Sequence, residues 1–272
     1  MTPIGIMDER ARVRLNIEVA QHQYLARLEA PELAAGAAPG QFVEVRPGDQ
    51  ASPLLRLPLS LGGRDPGRGT VDLLYESVGP KSQLISRLEP GCEVACLGPL
   101  GKGFERPARG QRAILVGGGI GVPPLLFLAA DLRQHGCAVV LLVGARSAAQ
   151  HLPDSLLHPV VREVHRATDD GSLGHAGMVT DLLQGELASP SECAVFCCGP
   201  QAMMAAVARL CRDREIVCQV SLEEYMACGF GVCMGCAVEV VPPDDAPASS
   251  PYTQYSRVCV DGPVFDARRV RW

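Results

Sequence analysis

The chain has 272 residues, more than a typical single domain, and 47% of them are hydrophobic, enough for two or three sizeable cores. Its net charge of −5 and the scatter of its basic residues exclude a nucleic-acid face built on a Lys/Arg patch. Met1 to Arg14 lacks the apolar core of a signal peptide, and no apolar run is long enough to span a bilayer, so a cytoplasmic protein is expected.

From Val13 to Leu97 short alternating segments are broken by Gly and Pro: Val13 to Val19, Phe42 to Val45, Leu54 to Leu61, Val71 to Tyr75 and Cys92 to Leu97. This pattern predicts a small antiparallel β-barrel. A short helix is expected over Ser82 to Leu88, with Pro90-Gly91 turning the chain into the last strand. Arg56-Leu57-Pro58-Leu59-Ser60 joins a fixed cation to a proline-stiffened strand and a hydroxyl. Alone, such an arginine is most often a solvated edge-strand residue.

Composition shifts at the glycine-rich stretch Gly98 to Gly103, and after Gln111 the period changes to buried strand followed by helix. Ala113 to Val116 reads as a parallel strand, followed by Gly117-Gly118-Gly119-Ile120-Gly121-Val122-Pro123-Pro124 and a helix from Leu125 to Arg133. Strand, glycine loop and helix N-terminus form a phosphate-binding geometry, although the spacing is not G-x-G-x-x-G and a tight turn is an equal reading. Strands follow at Val139 to Gly144, Val160 to Ala167 and Cys193 to Cys198, with helices at Val179 to Leu183 and Pro200 to Cys211. The expected fold is a doubly wound α/β domain. Thr168 to Ser172 and Cys198-Gly199-Pro200 fall at strand C-terminal ends, where such sheets bind ligands. A solvated turn and a packed cysteine are the bland alternatives.

After a strand at Ile216 to Ser221 comes S-L-E-E-Y-M-A-C-G-F-G-V-C-M-G-C, and with Cys259 the cysteines form C-x₄-C-x₂-C-x₂₂-C. Plant-type [2Fe–2S] loops use this ligand spacing. Gly229, Gly231 and Gly235 are expected to supply the sharp bends that aim backbone N–H groups at sulfur. Structural zinc is the alternative, but its sites usually show two paired knuckles, and disulfides would need an oxidising compartment. The other eight cysteines lack ligand spacing and read mainly as small core residues. A strand at Ala237 to Val241 precedes a Pro/Asp/Ser-rich stretch to Pro251, expected to be a mobile surface loop.

R-x-P-x-S, L-G-P-L-G, G-G-G-I-G-x-P-P, T-D-D-G-S, C-G-P and a cysteine loop ending V-C-V-D-G-P-V-F, in that order, span nearly the whole chain. The combination resembles the electron-transfer subunits of heteromeric NAD-linked dihydroorotate dehydrogenases, within the ferredoxin-reductase group. The resemblance implies an FAD-binding β-barrel over 1–106, an NAD-binding α/β domain over 107–217 and a [2Fe–2S] domain over 218–272. Arg56 would bind the FAD pyrophosphate, with Pro58, Leu59 and Ser60 along the isoalloxazine and Gly79, Lys81 and Ser82 near the phosphates. Val78 to Ser82 departs from the G-x-G-T-like element common in the group. Gly117, Gly118, Gly119 and Gly121 would approach the NAD phosphates, and Cys198, Gly199 and Pro200 the nicotinamide. Cys228, Cys233, Cys236 and Cys259 would hold the cluster.

The resemblance further implies an FMN-containing dihydroorotate dehydrogenase catalytic subunit as partner, in a heterotetramer of two of each, serving pyrimidine synthesis with NADH preferred over NADPH. The alternatives are an NAD(P)H-linked reductase subunit donating to ferredoxin or polysulfide and, from another class, a zinc-stabilised nucleotide-sensing module.

Overall fold

The computed structural model describes residues 5–46, 48, 53–188, 192–242 and 253–272. The loop expected over 242–251 lies, from residue 243 on, outside the described residues.

The first half is a closed barrel of β1 (Met7–Ala20), β2 (Gln23–Glu29), β3 (Phe42–Arg46), β4 (Leu57–Asp65), β5 (Thr70–Glu76) and β6 (Glu93–Leu100), in the order β1-β2-β5-β4-β3-β6. Alternation fills it: Val13, Leu28, Val43, Val45, Leu59, Leu61, Leu73 and Val94 point inward, joined by Leu33 from α1 (Pro31–Gly36) and Ile85 from α2 (Pro80–Ser86). Helix α2 begins two residues before the expected start because Pro80 suits its first turn and the Ser82 hydroxyl accepts from the N–H groups of Val78 and Gly79. Asn16 occupies one end of the barrel, where its amide donates to the carbonyls of Ile85 and Leu88 and accepts from the Tyr75 hydroxyl.

The second half is an α/β sheet: β7 (Arg112–Gly118), α3 (Val122–Gln134), β8 (Ala138–Ala145), α4 (Asp154–Leu157), β9 (Glu163–Thr168), β10 (His175–Ala176), α5 (Val179–Glu186), β11 (Cys193–Cys198), α6 (Gln201–Arg212) and β12 (Val217–Ser221). The centre is covered on both faces, so β7, β8 and β11 are near-continuous apolar runs, whereas the outer strand β9 carries Glu163, His165 and Arg166. Ala113, Leu115, Leu141 and Phe196 pack with the Leu125, Leu128 and Leu132 side of α3. Ile114, Val116, Leu142 and Val195 pack with Leu183 of α5 and Met204 and Val207 of α6.

The C-terminal segment adds the hairpin β13 (Ala237–Glu239) and β14 (Tyr255–Arg257), then β15 (Val264–Asp266), which pairs antiparallel to β12. The sheet order is β10-β9-β8-β7-β11-β12-β15. Residues 218–221 and 264–266 therefore belong to one continuous sheet with the nucleotide-type strands. Phe42 and Leu100 of the barrel, Val195 and Val207 of the α/β layer, and Cys236, Val258, Cys259 and Phe265 of the C-terminal segment share one apolar core. Close backbone contact fixes the junction: a Cβ on Gly101 would lie 2.5 Å from Pro263 Cδ and 2.9 Å from the Gly262 carbonyl. Of the eight cysteines outside the ligand pattern, Cys92 is exposed and the rest are buried.

Candidate functional site

Between β7 and β11 the chain reverses its direction of winding across the sheet, a position where the strand ends leave a crevice. A cavity of about 780 Å³ opens there. Gly118, Gly119, Gly121, Gly199 and Pro200 line it; Gly117 and Cys198 do not. A Cβ on Gly117 would lie 2.9 Å from Val122 Cγ2, so that glycine serves strand-helix packing. Cys198 is fully buried beneath the cavity, and burial pushes its thiol well above the ordinary range. The strand ends are pressed together: a Cβ on Gly121 would sit 2.3 Å from the Cys198 carbonyl oxygen. One on Gly199 would sit 2.9 Å from Gly118 N.

The phosphate argument made from α3 needs a correction. Pro123 and Pro124 occupy its first turn and remove two of the N–H groups such a site would use. The Gly119–Gly121 turn carries backbone donors instead, and α6 presents its first turn, Gln201 to Met203, to the cavity.

Several cavity residues carry no motif signal. Gln23 and Glu76 come from the barrel, Glu223 follows β12, and Arg271 and Trp272 come from the C-terminal segment. Enclosure by surrounding protein, then the Glu76 carboxylate, raises the Glu223 carboxyl, although its surface stays open to the solvent of the cleft. Its position past a strand C-terminal end was the one clue available in sequence. Asp169 and Arg146 stand at the far end of the cavity, beyond β9 and β8.

The residues expected at a flavin form a separate patch on the barrel. The Lys81 ammonium donates to the Arg56 carbonyl at 2.7 Å, and Arg56 donates to Asp8 at 2.8 Å and to the carbonyls of Glu44 and Ala95. Pro58 and Ser60 alternate with Leu59, whose side chain enters the barrel core, so only its backbone can border a ligand. The Ser82 hydroxyl is spent on capping α2. Space beside Gly79 is open, with nothing within 4 Å of an added Cβ. Sequence reading passed over Glu44 on β3, which is fully buried with neither carboxylate oxygen hydrogen-bonded. Burial raises its carboxyl to about 7, against the pull of Lys81 and Arg56.

The four thiols of the ligand pattern fall into two hydrogen-bonded pairs, Cys228 with Cys233 and Cys236 with Cys259. Among the described residues no three of them converge within 4.8 Å, as the ligands of one tetrahedral ion must. Two pairs suit a two-iron centre. Backbone donors surround the sulfurs: Gly235 N–H reaches Cys233 Sγ at 3.4 Å and Cys259 N–H reaches Cys236 Sγ at 3.4 Å. Burial alone would raise the Cys228 thiol, but N–H groups of Cys233, Phe230 and Val232 outweigh it and bring the thiol to about 6. Burial and then the Cys236 sulfur push Cys259 to about 12.

Gly229 (φ +77°) and Gly231 (φ +88°) make the expected left-handed bends. Gly235 does not; Met234 takes a positive φ of 62° in its place, and an added Cβ on Gly235 would make only ordinary contact with Cys233 Sγ at 3.5 Å. Arg257 ties the two halves of the site, donating to Gly231 O at 3.1 Å and to Asp261 Oδ2.

Residues 223–271 match the family described as the iron–sulfur cluster binding domain of dihydroorotate dehydrogenase B. Over 264 residues the chain is 37% identical to the dihydroorotate dehydrogenase B (NAD(+)) electron transfer subunit of Desulforamulus reducens, covering 96% of this chain and 97% of the relative. It is 40% identical to that of Bacillus caldolyticus, covering 96% and 98%. The chain belongs to this family of electron transfer subunits. A solved NADH-dependent reduced ferredoxin–NADP oxidoreductase shares this architecture at 26% identity, with a TM-score of 0.84 over 96% of this chain and 90% of that one. A ferredoxin reductase of carbazole 1,9a-dioxygenase shares the fold at 21% identity, with a TM-score of 0.67 over 78% of this chain and 67% of that one.

Proposed function

We propose that the chain carries electrons between NAD(H) and the FMN-containing catalytic subunit of dihydroorotate dehydrogenase, in a cytoplasmic complex of two copies of each that serves pyrimidine synthesis. FAD, when bound, would exchange a single hydride, an electron pair, with the nicotinamide, and the [2Fe–2S] centre would carry those electrons one at a time. Cys228, Cys233, Cys236 and Cys259 hold the irons, and the N–H groups aimed at their sulfurs stabilise negative charge there. Arg56 and Lys81 neutralise the FAD phosphates, Pro58 and Ser60 border its ring, and the Gly118–Gly121 loop with the first turn of α6 receives the dinucleotide. Among the described residues no helix is long and apolar enough to cross a membrane.

The observation that carries this reading is adjacency. Gly229 of the cluster loop lies against Glu44, the cross-strand neighbour of Pro58, so cluster loop and flavin face share one boundary. Outside that boundary Cys233 is exposed among Tyr225, Phe230, Val232 and Met234, all exposed. This apolar rim is the face offered to the catalytic subunit. The test is to purify the chain with its neighbouring catalytic subunit and assay NAD reduction by dihydroorotate. Turnover that requires both proteins supports the reading. A complex that holds every cofactor yet reduces only ferredoxin contradicts it.

A further inference from the structure

The guanidinium of Arg257 lies against the cysteine loop. Its Nη1 donates to the Gly231 carbonyl at 3.1 Å and its Nε to Asp261 Oδ2 at 3.2 Å. The same carboxylate oxygen accepts from the Arg257 backbone N–H at 2.8 Å, which fixes the direction of the side chain. The fit is close: a Cβ added to Gly231 would lie 3.2 Å from Arg257 Nη1. The Gly231 carbonyl shares its peptide unit with the Val232 N–H, and that N–H is one of the donors to the Cys228 sulfur. In this trans peptide C=O and N–H point in opposite directions, so the cation pulls on one end of a dipole whose other end faces a ligand. The Gly231 N–H, one peptide earlier, reaches the Cys259 sulfur, so this short stretch touches both thiol pairs. Asp261 does not neutralise the arrangement, because Lys102 attracts it as well and the three groups sum to a net positive charge.

We propose that Arg257 is a positioning residue for electron transfer: through the peptide between Gly231 and Val232, its guanidinium strengthens the N–H bond to the Cys228 sulfur and raises the reduction potential of the [2Fe–2S] centre. The inference rests on the reading of the four cysteines as cluster ligands. Hydrogen bonds linked in a chain polarise one another, so a cation at the carbonyl end makes the N–H end a better donor. Taking up one electron adds negative charge to a centre already held by four thiolates. A nearby cation and stronger donors therefore stabilise the reduced state more than the oxidised one. Ligation needs only the cysteines, so removing the charge shifts the potential without removing a ligand.

The test is a redox titration of the full chain holding FAD and its cluster, following the electron paramagnetic resonance signal of the reduced centre, with bound iron measured alongside. Arg257→Gln keeps a side-chain donor but no charge. It should hold its iron while its one-electron reduction equilibrium falls about threefold or more, about 28 mV at about 59 mV per tenfold. Arg257→Lys keeps a cation on a flexible stem, and its potential should lie closer to wild type than to the glutamine variant. Equal potentials in wild type and Arg257→Gln, with iron retained, overturn the role of Arg257 and leave the cluster standing. A lysine variant that falls as far as the glutamine one also overturns it, since charge would not be the agent. Arg257→Met takes the place of Arg257→Gln if that variant does not keep its centre. Loss of the centre from both assigns the arginine to retention instead of tuning and overturns the proposal. Wild-type protein that shows no [2Fe–2S] signal on reduction refutes the cluster reading, and the proposal with it.

Discussion

The backbone N–H of Cys259 donates to the sulfur of Cys236 across 3.4 Å, and the neighbouring N–H of Val258 reaches the Cys236 carbonyl at 3.0 Å. These two bonds close the hairpin that returns a distant thiol to the loop. Arg257, one residue earlier, extends the same clamp to Gly231. Arg257→Ala should leave all four thiols in place yet loosen the site, and supporting groups around metal ligands are commonly worth 10–100-fold in metal affinity. Iron release to a chelator should be faster by about tenfold or more. Unchanged release would show that the hairpin bonds suffice without the arginine.

Gly121 has no room for a side chain. Its ideal Cβ lies 2.3 Å from the Cys198 carbonyl oxygen, and that oxygen belongs to a central strand that cannot retreat. Gly121→Ala should therefore cost about 1–3 kcal/mol of stability, as overpacking does. It should also weaken NADH binding, since the strand ends it spreads form the cavity wall. Thermal melting and an NADH titration check both, and loss of stability with NADH affinity intact would remove this loop from the nucleotide site.

The barrel and the winding of the second half follow directly from alternation and from glycine or proline punctuation, because those patterns are local. Strand β2 was hidden, since Gln23-Tyr24-Leu25-Ala26-Arg27 mixes polar and apolar residues on a strand buried on both sides. Strand β15 was hidden too: three residues become a strand only because β12 offers them an edge. The candidate cluster ligands stood out from spacing alone, as ligand type and interval are sequence properties. Which glycine-motif residues face a cavity was not. Gly117 and Gly118 are adjacent on β7, yet one meets Val122 and the other the opening. Glu44 was invisible for the same reason, because its burial depends on a loop nearly two hundred residues downstream.

Burial raises the Glu44 carboxyl from its ordinary 4.5 to about 7 in the folded chain. Between those values the folded chain keeps a proton that the unfolded chain has released, so stability falls as pH rises through this window and stays low above it. Cys228 acts with the opposite sign, its thiol lowered from 9.0 to about 6, adding stability as pH rises from there. The comparison of cofactor-free wild type with Glu44→Gln isolates the first effect. In urea unfolding the wild type should lose about 3 kcal/mol relative to the variant between pH 4.5 and pH 8. A difference independent of pH would place the carboxyl in a polar setting.

Electron passage through the thiol pairs is the central claim, and Cys233→Ser tests it most directly. Serine is a harder, poorer ligand for iron, so the centre should be lost or altered, while the cavity and the barrel face lie outside the loop. In complex with the catalytic subunit, the variant should still oxidise NADH with a small flavin-reactive dye at close to the wild-type rate. Its NADH-dependent reduction of orotate should fall to background. Orotate reduction at the wild-type rate, in a variant shown by iron analysis to lack its cluster while retaining FAD and partner, would contradict the account.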